Sequence, residues 1–211
     1  MVKQTNKQNK WVILVMLAAT LVIIITLALV LNQPKALPQT DGGLIATNYV
    51  EIEVKDYGTI TAELYGDAAP ITVENFIKLA NGGFYDGLTF HRIISGFMIQ
   101  GGCPLGNGTG GSDQLIKGEF SQNGIANPIA HTRGVLSMAR AMDPNSASSQ
   151  FFIMHQDAPH LDGAYAAFGK VLTGMEVVDA ICQNTPVTDG NGTVVKENQP
   201  VIVSIREIEK P

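Results

Sequence analysis

Hydrophobic and polar residues alternate along many short segments of this chain. Residues 49–54 (YVEIEV) and 58–64 (GTITAEL) place apolar side chains at every second position, which is the period of a half-buried β-strand. The residues between them, 55–58 (KDYG), predict a tight turn, so the two segments should form a hairpin. Further strands are predicted at 90–94, 97–100, 134–139, 150–155, 166–171 and 200–209.

In two other segments the apolar residues recur with the period of an α-helix. Residues 70–81 (PITVENFIKLAN) carry four apolar side chains on one helical face, with Thr72 as the expected N-cap and two glycines just after the end. Residues 174–182 (GMEVVDAIC) predict a second, shorter helix. Many short strands and two helices favour a closed antiparallel β-barrel whose ends the helices cover.

A long apolar run precedes this domain. Trp11–Leu31 contains no charged residue and, as a helix of ~31 Å, would span a bilayer. A cleaved signal peptide is the alternative, but its apolar core is usually ~7–15 residues long and is followed by a small-residue cleavage site, which is missing here. Three lysines precede the run, so the positive-inside rule predicts a cytoplasmic N-terminus and an extracytoplasmic domain.

The expected organisation is therefore a single-pass protein of the cell membrane. Its parts are a cytoplasmic tail (1–10), a transmembrane helix (11–31), a Pro- and Gly-containing linker (32–47) and one folded domain (48–211). Beyond position 40 there are ten Lys and Arg against nineteen Asp and Glu, a net charge of −9. This balance argues against a nucleic-acid partner.

Several kinds of site are not supported by the sequence. The two cysteines, Cys103 and Cys182, match no metal-binding spacing and are expected to be free thiols. The four histidines lack the spacing of a helical zinc site, so no metal is predicted. The GNGTGG run at 106–111 fits a dinucleotide fingerprint literally, but no helix pattern follows it. A chymotrypsin-like hydrolase is a distant alternative, since no Ser/His/Asp set is discernible in the sequence.

The stretch FHRIISGFMIQGG (90–102) raises a different question, because it places Arg92 among bulky apolar residues. Arg92, Met98 and Gln100 share parity, and a bulge at Ser95-Gly96 would bring Phe97 to the same face. Taken alone, this spacing fits an ordinary core with a surface ion pair at least as well as a binding pocket.

A resemblance to a known family favours the binding pocket over the ordinary core. FHRIISGFMIQGG, GVLSMARAMDPNSASSQFFI and LDGAYAAFGKV resemble, in order, three signature blocks of the cyclophilins, a family of peptidyl-prolyl isomerases. The resemblance spans roughly residues 49–209 and implies an eight-stranded antiparallel β-barrel capped by two α-helices. It implies that Arg92 and Gln100 are catalytic. It also implies a substrate-binding groove formed by Phe97, Met98, Ala139, Arg140, Ala141, Gln150, Phe152, His160, Leu161 and Tyr165.

Three groove positions depart from the pattern common in the family. His160 stands where many members have tryptophan, Tyr165 where many have histidine, and Arg140 where asparagine is usual. Tyr165 can still pack on a prolyl ring. His160 makes strong cyclosporin binding doubtful, and Arg140 adds a cation at the edge of the groove.

The resemblance implies an enzyme that accelerates rotation about X–Pro bonds, here in exported or cell-surface proteins during folding. Its partners would be proline-containing segments of unfolded or folding chains, and it would act as a monomer without a cofactor. The alternative is a non-catalytic proline-peptide binding module or holdase chaperone that uses the same groove. Retention of both Arg92 and Gln100 favours the enzyme.

Overall fold

The computed structural model describes residues 44–211, which contain eight β-strands and two α-helices. The helices are α1 (Pro70–Asn81) and α2 (Met175–Asn184). The strands are β1 (Asn48–Val54), β2 (Gly58–Leu64), β3 (Phe90–Ile94), β4 (Met98–Gly101), β5 (Val135–Met138), β6 (Phe151–Met154), β7 (Ala167–Thr173) and β8 (Ile202–Ile208). The predicted strands and both helices are therefore confirmed, with ends shifted by at most two residues.

All eight strands belong to one antiparallel sheet in the order β3-β4-β6-β5-β7-β2-β1-β8. The sheet curls so that its two edges meet, but no full ladder joins β3 to β8. The edges are connected through residues at or next to the strand ends: Thr89 pairs with Val201, and the Phe90 N–H donates to the Pro200 carbonyl at 3.0 Å. The expected closed barrel is thus a curled sheet whose seam is only a few residues long.

The interior of the sheet is filled by apolar side chains from alternate strand positions. In β1, Val50, Ile52 and Val54 are buried while the residues between them are exposed, as the sequence alternation predicts. Helix α1 contributes Phe76, whose ring lies 5.3 Å from that of Phe151 in an edge-to-face arrangement. A second, smaller apolar cluster contains Met98, Val135, Phe152, Met154 and Leu161, and the candidate site is built on it.

The N-terminus of α1 is capped differently from the sequence prediction. Thr72 lies inside the helix, and the N-cap residue Ala69 makes no side-chain capping bond. The buried Glu119 carboxylate takes this role instead. It accepts hydrogen bonds from the Ile71 N–H (3.0 Å), the Thr72 N–H (2.8 Å) and the Thr72 hydroxyl (2.7 Å). A carboxylate from a distant loop thus satisfies N–H groups that the first turn leaves without partners.

The hairpin β3–β4 also corrects a prediction. Ser95 and Gly96 do not form a bulge in a continuing strand; they lie in a tight turn that reverses the chain, closed by a 2.9 Å bond from the Phe97 N–H to the Ile94 carbonyl. Gly96 adopts φ = 81°, a backbone angle that residues other than glycine rarely adopt. Because Arg92 and Gln100 are direct cross-strand partners, they still share a face.

The predicted transmembrane helix at 11–31 and most of the linker lie outside the described residues. Within residues 44–211, no helix is both long and apolar enough to cross a membrane. The end of the linker is described, and Leu44 is already buried there. Cys103 and Cys182 are both free and buried, as expected.

Candidate active site

The β3–β4 hairpin presents Arg92 beside Gln100 on one face of the sheet. Arg92 Nη1 donates to Gln100 Oε1 at 3.2 Å, and Arg92 Nε donates to the backbone carbonyl of Asn191 at 2.8 Å. Two separate acceptors therefore fix the plane of the guanidinium. Burial lowers the pKa of Arg92, but an arginine remains charged in proteins, so the site holds a permanent cation.

Gln100 is held in turn by Gln150, the residue just before the neighbouring strand β6. Gln100 Nε2 donates to Gln150 Oε1 at 2.9 Å, and Gln150 Nε2 donates to the carbonyls of Gly108 (2.9 Å) and Gly110 (2.7 Å). The amides thus form a directional series from the glycine-rich loop to the arginine. The glycine carbonyls fix the orientation of the Gln150 amide, and Gln150 fixes that of Gln100, so that Gln100 Oε1 points at Arg92.

An open pocket of about 210 Å³ lies beside this guanidinium. Its floor is apolar, because Met98, Phe152 and Leu161 are buried members of the second core cluster. The complete lining is Arg92, Phe97, Met98, Gln100, Ala139, Arg140, Phe152, Leu161 and Tyr165. The structure therefore brings together nine of the twelve residues predicted from the sequence.

The other three predicted residues lie around this pocket. Ala141 and Gln150 line an adjoining pocket of about 290 Å³, which shares Gln100, Ala139 and Arg140 with the first. His160 lines neither pocket. It is exposed at the rim, where its ring stacks on Phe97 at 5.7 Å with an interplanar angle of 27°.

Arg140 lies at the edge of the groove, where it lines both pockets, and its guanidinium is held by neighbouring groups. Its guanidinium lies over the rings of Tyr165 (4.8 Å) and Phe120 (5.1 Å). Its Nη2 donates to the Ala164 carbonyl at 2.9 Å, and its Nη1 to the Ala141 carbonyl at 2.9 Å. Two of the positions that depart from the family pattern, Arg140 and Tyr165, are therefore in contact, and both line the 210 Å³ pocket.

The sequence reasoning missed a polar array beneath the pocket. His131 Nε2 lies 3.0 Å from Ser137 Oγ, and His131 Nδ1 lies 3.0 Å from Asp162 Oδ1. The His131 ring stacks under Phe152 at 6.1 Å. A Ser/His/Asp set is therefore present, contrary to the expectation from the sequence. Ser137 is fully buried, however, so it is not accessible to a substrate, and the array supports the pocket floor instead.

No signal in the sequence pointed to this array, because its members belong to three separate segments with no common spacing. Asn191 was missed for a similar reason, since it contacts Arg92 through its backbone carbonyl. Among residues 44–211, no group of three or more His, Cys, Asp or Glu side chains could hold a metal ion.

Comparison with known proteins settles the family. A family model described as "Cyclophilin type peptidyl-prolyl cis-trans isomerase/CLD" matches residues 49–208, which is nearly the whole described domain. The chain belongs to the cyclophilin family. Its enzyme class is accordingly that of the peptidyl-prolyl cis-trans isomerases, which agrees with the resemblance of its three sequence blocks.

Curated cyclophilins cover most of the domain at substantial identity. Peptidyl-prolyl cis-trans isomerase B of Bacillus subtilis is 50% identical over 151 residues, 72% of this chain and 95% of that protein. A peptidyl-prolyl cis-trans isomerase of Helicobacter pylori strain J99 is 46% identical over 142 residues, 66% of this chain and 84% of that protein. Both matches extend over most of the relative's own length.

A solved structure also matches this cyclophilin. The Cryptosporidium parvum cyclophilin type peptidyl-prolyl cis-trans isomerase, crystallised in the presence of the dipeptide Ala-Pro, is 33% identical with a TM-score of 0.67. The match covers 77% of this chain and 99% of that structure. The eight-stranded curled sheet with two helices is therefore the cyclophilin fold.

Proposed function

We propose that this cyclophilin isomerises X–Pro bonds in exported or cell-surface proteins, with Arg92 as the catalytic donor and the 210 Å³ pocket as the proline site. The observation that carries the proposal is the position of Arg92. It is a fixed cation at the wall of an apolar pocket that can hold a prolyl ring. The Ala-Pro dipeptide named with the Cryptosporidium relative supports a proline ligand of this kind.

The chemistry of the reaction accounts for these residue types. Rotation about an X–Pro bond must cross a barrier of ~18–20 kcal/mol, because resonance stiffens the amide. As the bond twists, the prolyl nitrogen becomes pyramidal and gains a lone pair. A preorganised donor next to that nitrogen stabilises the twisted state more than either planar state, which lowers the barrier. Arg92 can supply this donor without any proton transfer.

The remaining residues have binding and positioning roles in this proposal. Phe97, Met98, Phe152 and Leu161 surround the ring and exclude water, which strengthens the electrostatic effect of Arg92. Gln100 positions the guanidinium through the 3.2 Å bond. The adjoining pocket, with Gln150 and the Gly108–Gly111 backbone in its lining, receives the peptide segment that precedes the proline.

The proposal is tested by a protease-coupled assay on a proline tetrapeptide with the wild-type chain and Arg92→Ala. Removal of a preorganised transition-state donor should lower kcat/KM by ~10²–10³-fold, while circular dichroism stays unchanged. Arg92→Lys should also be poor, because an ammonium cannot reproduce the planar fork. Arg206→Ala is the matched control, since it removes a surface arginine that pairs with Asp86.

The result separates the two candidate functions. If folded Arg92→Ala keeps more than about a third of the wild-type kcat/KM, Arg92 is not the catalytic donor, and the non-catalytic binding module or holdase gains support. The cellular location rests on a separate argument, the uncharged 11–31 run with three lysines before it. That run would make the chain a single-pass membrane protein with an extracytoplasmic domain.

A further inference from the structure

The turn that carries Phe97 is held from outside its own hairpin. The backbone N–H groups of His155 and Gln156 both donate to the Phe97 carbonyl, at 2.8 and 3.3 Å. The Gly96 N–H donates to Nδ1 of the His155 side chain at 2.8 Å. A side chain just beyond the end of β6 therefore fixes the β3–β4 turn.

The opposite edge of the His155 ring is also bound. Its Nε2 lies 3.1 Å from Asp179 Oδ1 in helix α2. Asp179 is held by Arg133, whose Nη2 donates to both carboxylate oxygens at 2.8 Å, and Arg133 Nη1 donates to the His155 carbonyl at 2.7 Å. The side chain of His155 is only 14% exposed, whereas those of Asp179 and Arg133 are about a third exposed, so the ring is the shielded member of this arrangement.

These two partners specify one form of the ring. The Gly96 N–H can only donate, so Nδ1 must be the unprotonated acceptor. The ring proton then lies on Nε2, where it is donated to the Asp179 carboxylate. A neutral imidazole has one donor and one acceptor, and both are used here. Any ring with a proton on Nδ1 would place a donor against a donor at Gly96.

We propose that His155 is a positioning residue for the proline pocket. By accepting from the Gly96 N–H it holds the turn, and with it the Phe97 ring that forms one side of the pocket. The space beside Gly96 is open, since a Cβ placed there would meet nothing within 4 Å. The inference rests on the proposed function, because it assumes that this pocket binds proline.

The expected kinetic consequence is a change in KM rather than in kcat. Without the Gly96 bond, the turn adopts the binding-competent conformation for a smaller fraction of the time, and the apparent affinity falls by that fraction. The Arg92–Gln100–Gln150 series does not include His155. Once a substrate is bound, the barrier to rotation should therefore be unchanged.

Two substitutions distinguish the bond of His155 to Gly96 from its bond to Asp179. His155→Asn places an amide oxygen near the position of Nδ1 and keeps the Gly96 bond, but loses Asp179. His155→Gln keeps a donor near the position of Nε2 and loses the Gly96 bond. In the full chain, His155→Ala and His155→Gln should raise KM about three- to tenfold with kcat within about twofold of wild type, and His155→Asn should restore KM.

The opposite pattern, rescue by Gln and not by Asn, would show that the link to α2 matters and would overturn the proposal. Wild-type KM in all three variants would also overturn it; if Arg92→Ala is inactive in the same assay, the proposed function still stands. An independent measurement does not need a variant. Long-range ¹H–¹⁵N correlation spectra of the wild-type chain at pH 8 should show the His155 proton on Nε2, and a proton on Nδ1 would contradict the geometry.

Discussion

Arg92 owes its orientation to the hydrogen-bond acceptors around its guanidinium. The two oxygen acceptors are Gln100 Oε1 and the Asn191 carbonyl, and Nη1 also lies 3.9 Å from Met98 Sδ. Loss of Gln100 should therefore leave the donor in place but less well oriented.

We expect Gln100→Ala to lower kcat/KM by about tenfold, clearly less than Arg92→Ala, because it removes one charge-assisted hydrogen bond and not the donor itself. The tetrapeptide assay measures the effect, with circular dichroism as the control for folding. Gln150→Ala should lower kcat less than Gln100→Ala, because it acts on Arg92 only through Gln100, and any loss of peptide binding in the adjoining pocket should appear in KM. If Gln100→Ala is as inactive as Arg92→Ala, Gln100 has a direct role in the reaction.

His91, the neighbour of Arg92, should make stability depend on pH. Burial, followed by the Arg92 charge, lowers the pKa of His91 to about 4, against about 6.5 in an unfolded chain. Above about pH 6.5 the ring is neutral in both states. Below it, the unfolded chain takes up the proton more readily, so His91 should cost about 3 kcal/mol of stability between about pH 6.5 and pH 4.

This cost should appear in urea unfolding of the wild-type chain at pH 7.5 and pH 4.5. His91→Leu, which has no titrating ring, should lose less stability on acidification than the wild type. Burial also lowers the pKa of His131, so some acid sensitivity remains in that variant. An unchanged difference between the two pH values in His91→Leu would contradict the assignment to His91.

At the scale of single residues, the sequence predicted what touches the pocket better than what supports it. Nine of the twelve predicted residues line one pocket, because the signature blocks carry them. The supporting contacts of His131 with Asp162, Glu119 with Thr72 and His155 with Gly96 join residues 31, 47 and 59 positions apart. No local period in the sequence reports such contacts, since they depend on how the strands are arranged.

The elements themselves were predictable wherever one face is buried and the other exposed. The alternation in β1 and the apolar face of α1 both follow from this rule. The β3–β4 turn could not be predicted in this way, because a bulge and a tight turn at Ser95-Gly96 would both leave Arg92 and Gln100 on the same face. Parity alone does not distinguish the two. The seam between β3 and β8 also has no sequence signal, because it consists of backbone bonds.

Helix α1 offers a prediction at the scale of the element. Its first turn depends on the Glu119 carboxylate, which is only 2% exposed and accepts three hydrogen bonds. Glu119→Ala should lower the free energy of unfolding by about 2–3 kcal/mol, since hydrogen bonds to charged groups contribute about 1.5–3 kcal/mol and buried N–H groups would lose their partner. Urea denaturation monitored by circular dichroism measures the loss.

Thr72→Val is a milder variant for comparison with Glu119→Ala. It keeps nearly the same side-chain volume and removes only the 2.7 Å hydroxyl bond, so its loss should be smaller than that of Glu119→Ala. Equal losses in both variants would mean that the hydroxyl, rather than the backbone N–H groups, carries the effect of the cap.

At the scale of the whole molecule, the described contacts set the minimum length of the folded domain. β1 lies inside the sheet, between β2 and β8, so the chain cannot be shortened past Asn48 without removing an interior strand. The contacts begin earlier: Leu44 is buried in the second cluster, and the Thr47 N–H donates to the Leu64 carbonyl at 2.8 Å. A fragment needs these residues as well.

We expect residues 44–211 to fold and to isomerise the tetrapeptide with the kcat/KM of the full chain, because all pocket residues lie within this range. Addition of a reducing agent should leave its melting temperature unchanged, since Cys103 and Cys182 are free. A fragment that starts at Tyr49 loses the Leu44 and Thr47 contacts and should melt at a lower temperature. Equal melting temperatures for the two fragments would show that residues 44–48 contribute nothing to stability.

The full chain differs from that fragment by the apolar run at 11–31, which should determine where the enzyme meets its substrates. As an uncleaved anchor, it should keep the chain in the membrane fraction through alkaline carbonate extraction, whereas the 44–211 fragment should be released. With three lysines before the run, protease added to spheroplasts should digest the domain. Release of the full chain by carbonate, or a mature N-terminus mapped beyond Leu31, would show a cleaved signal peptide. Protection from the protease would reverse the orientation and restrict the enzyme to cytoplasmic proline bonds.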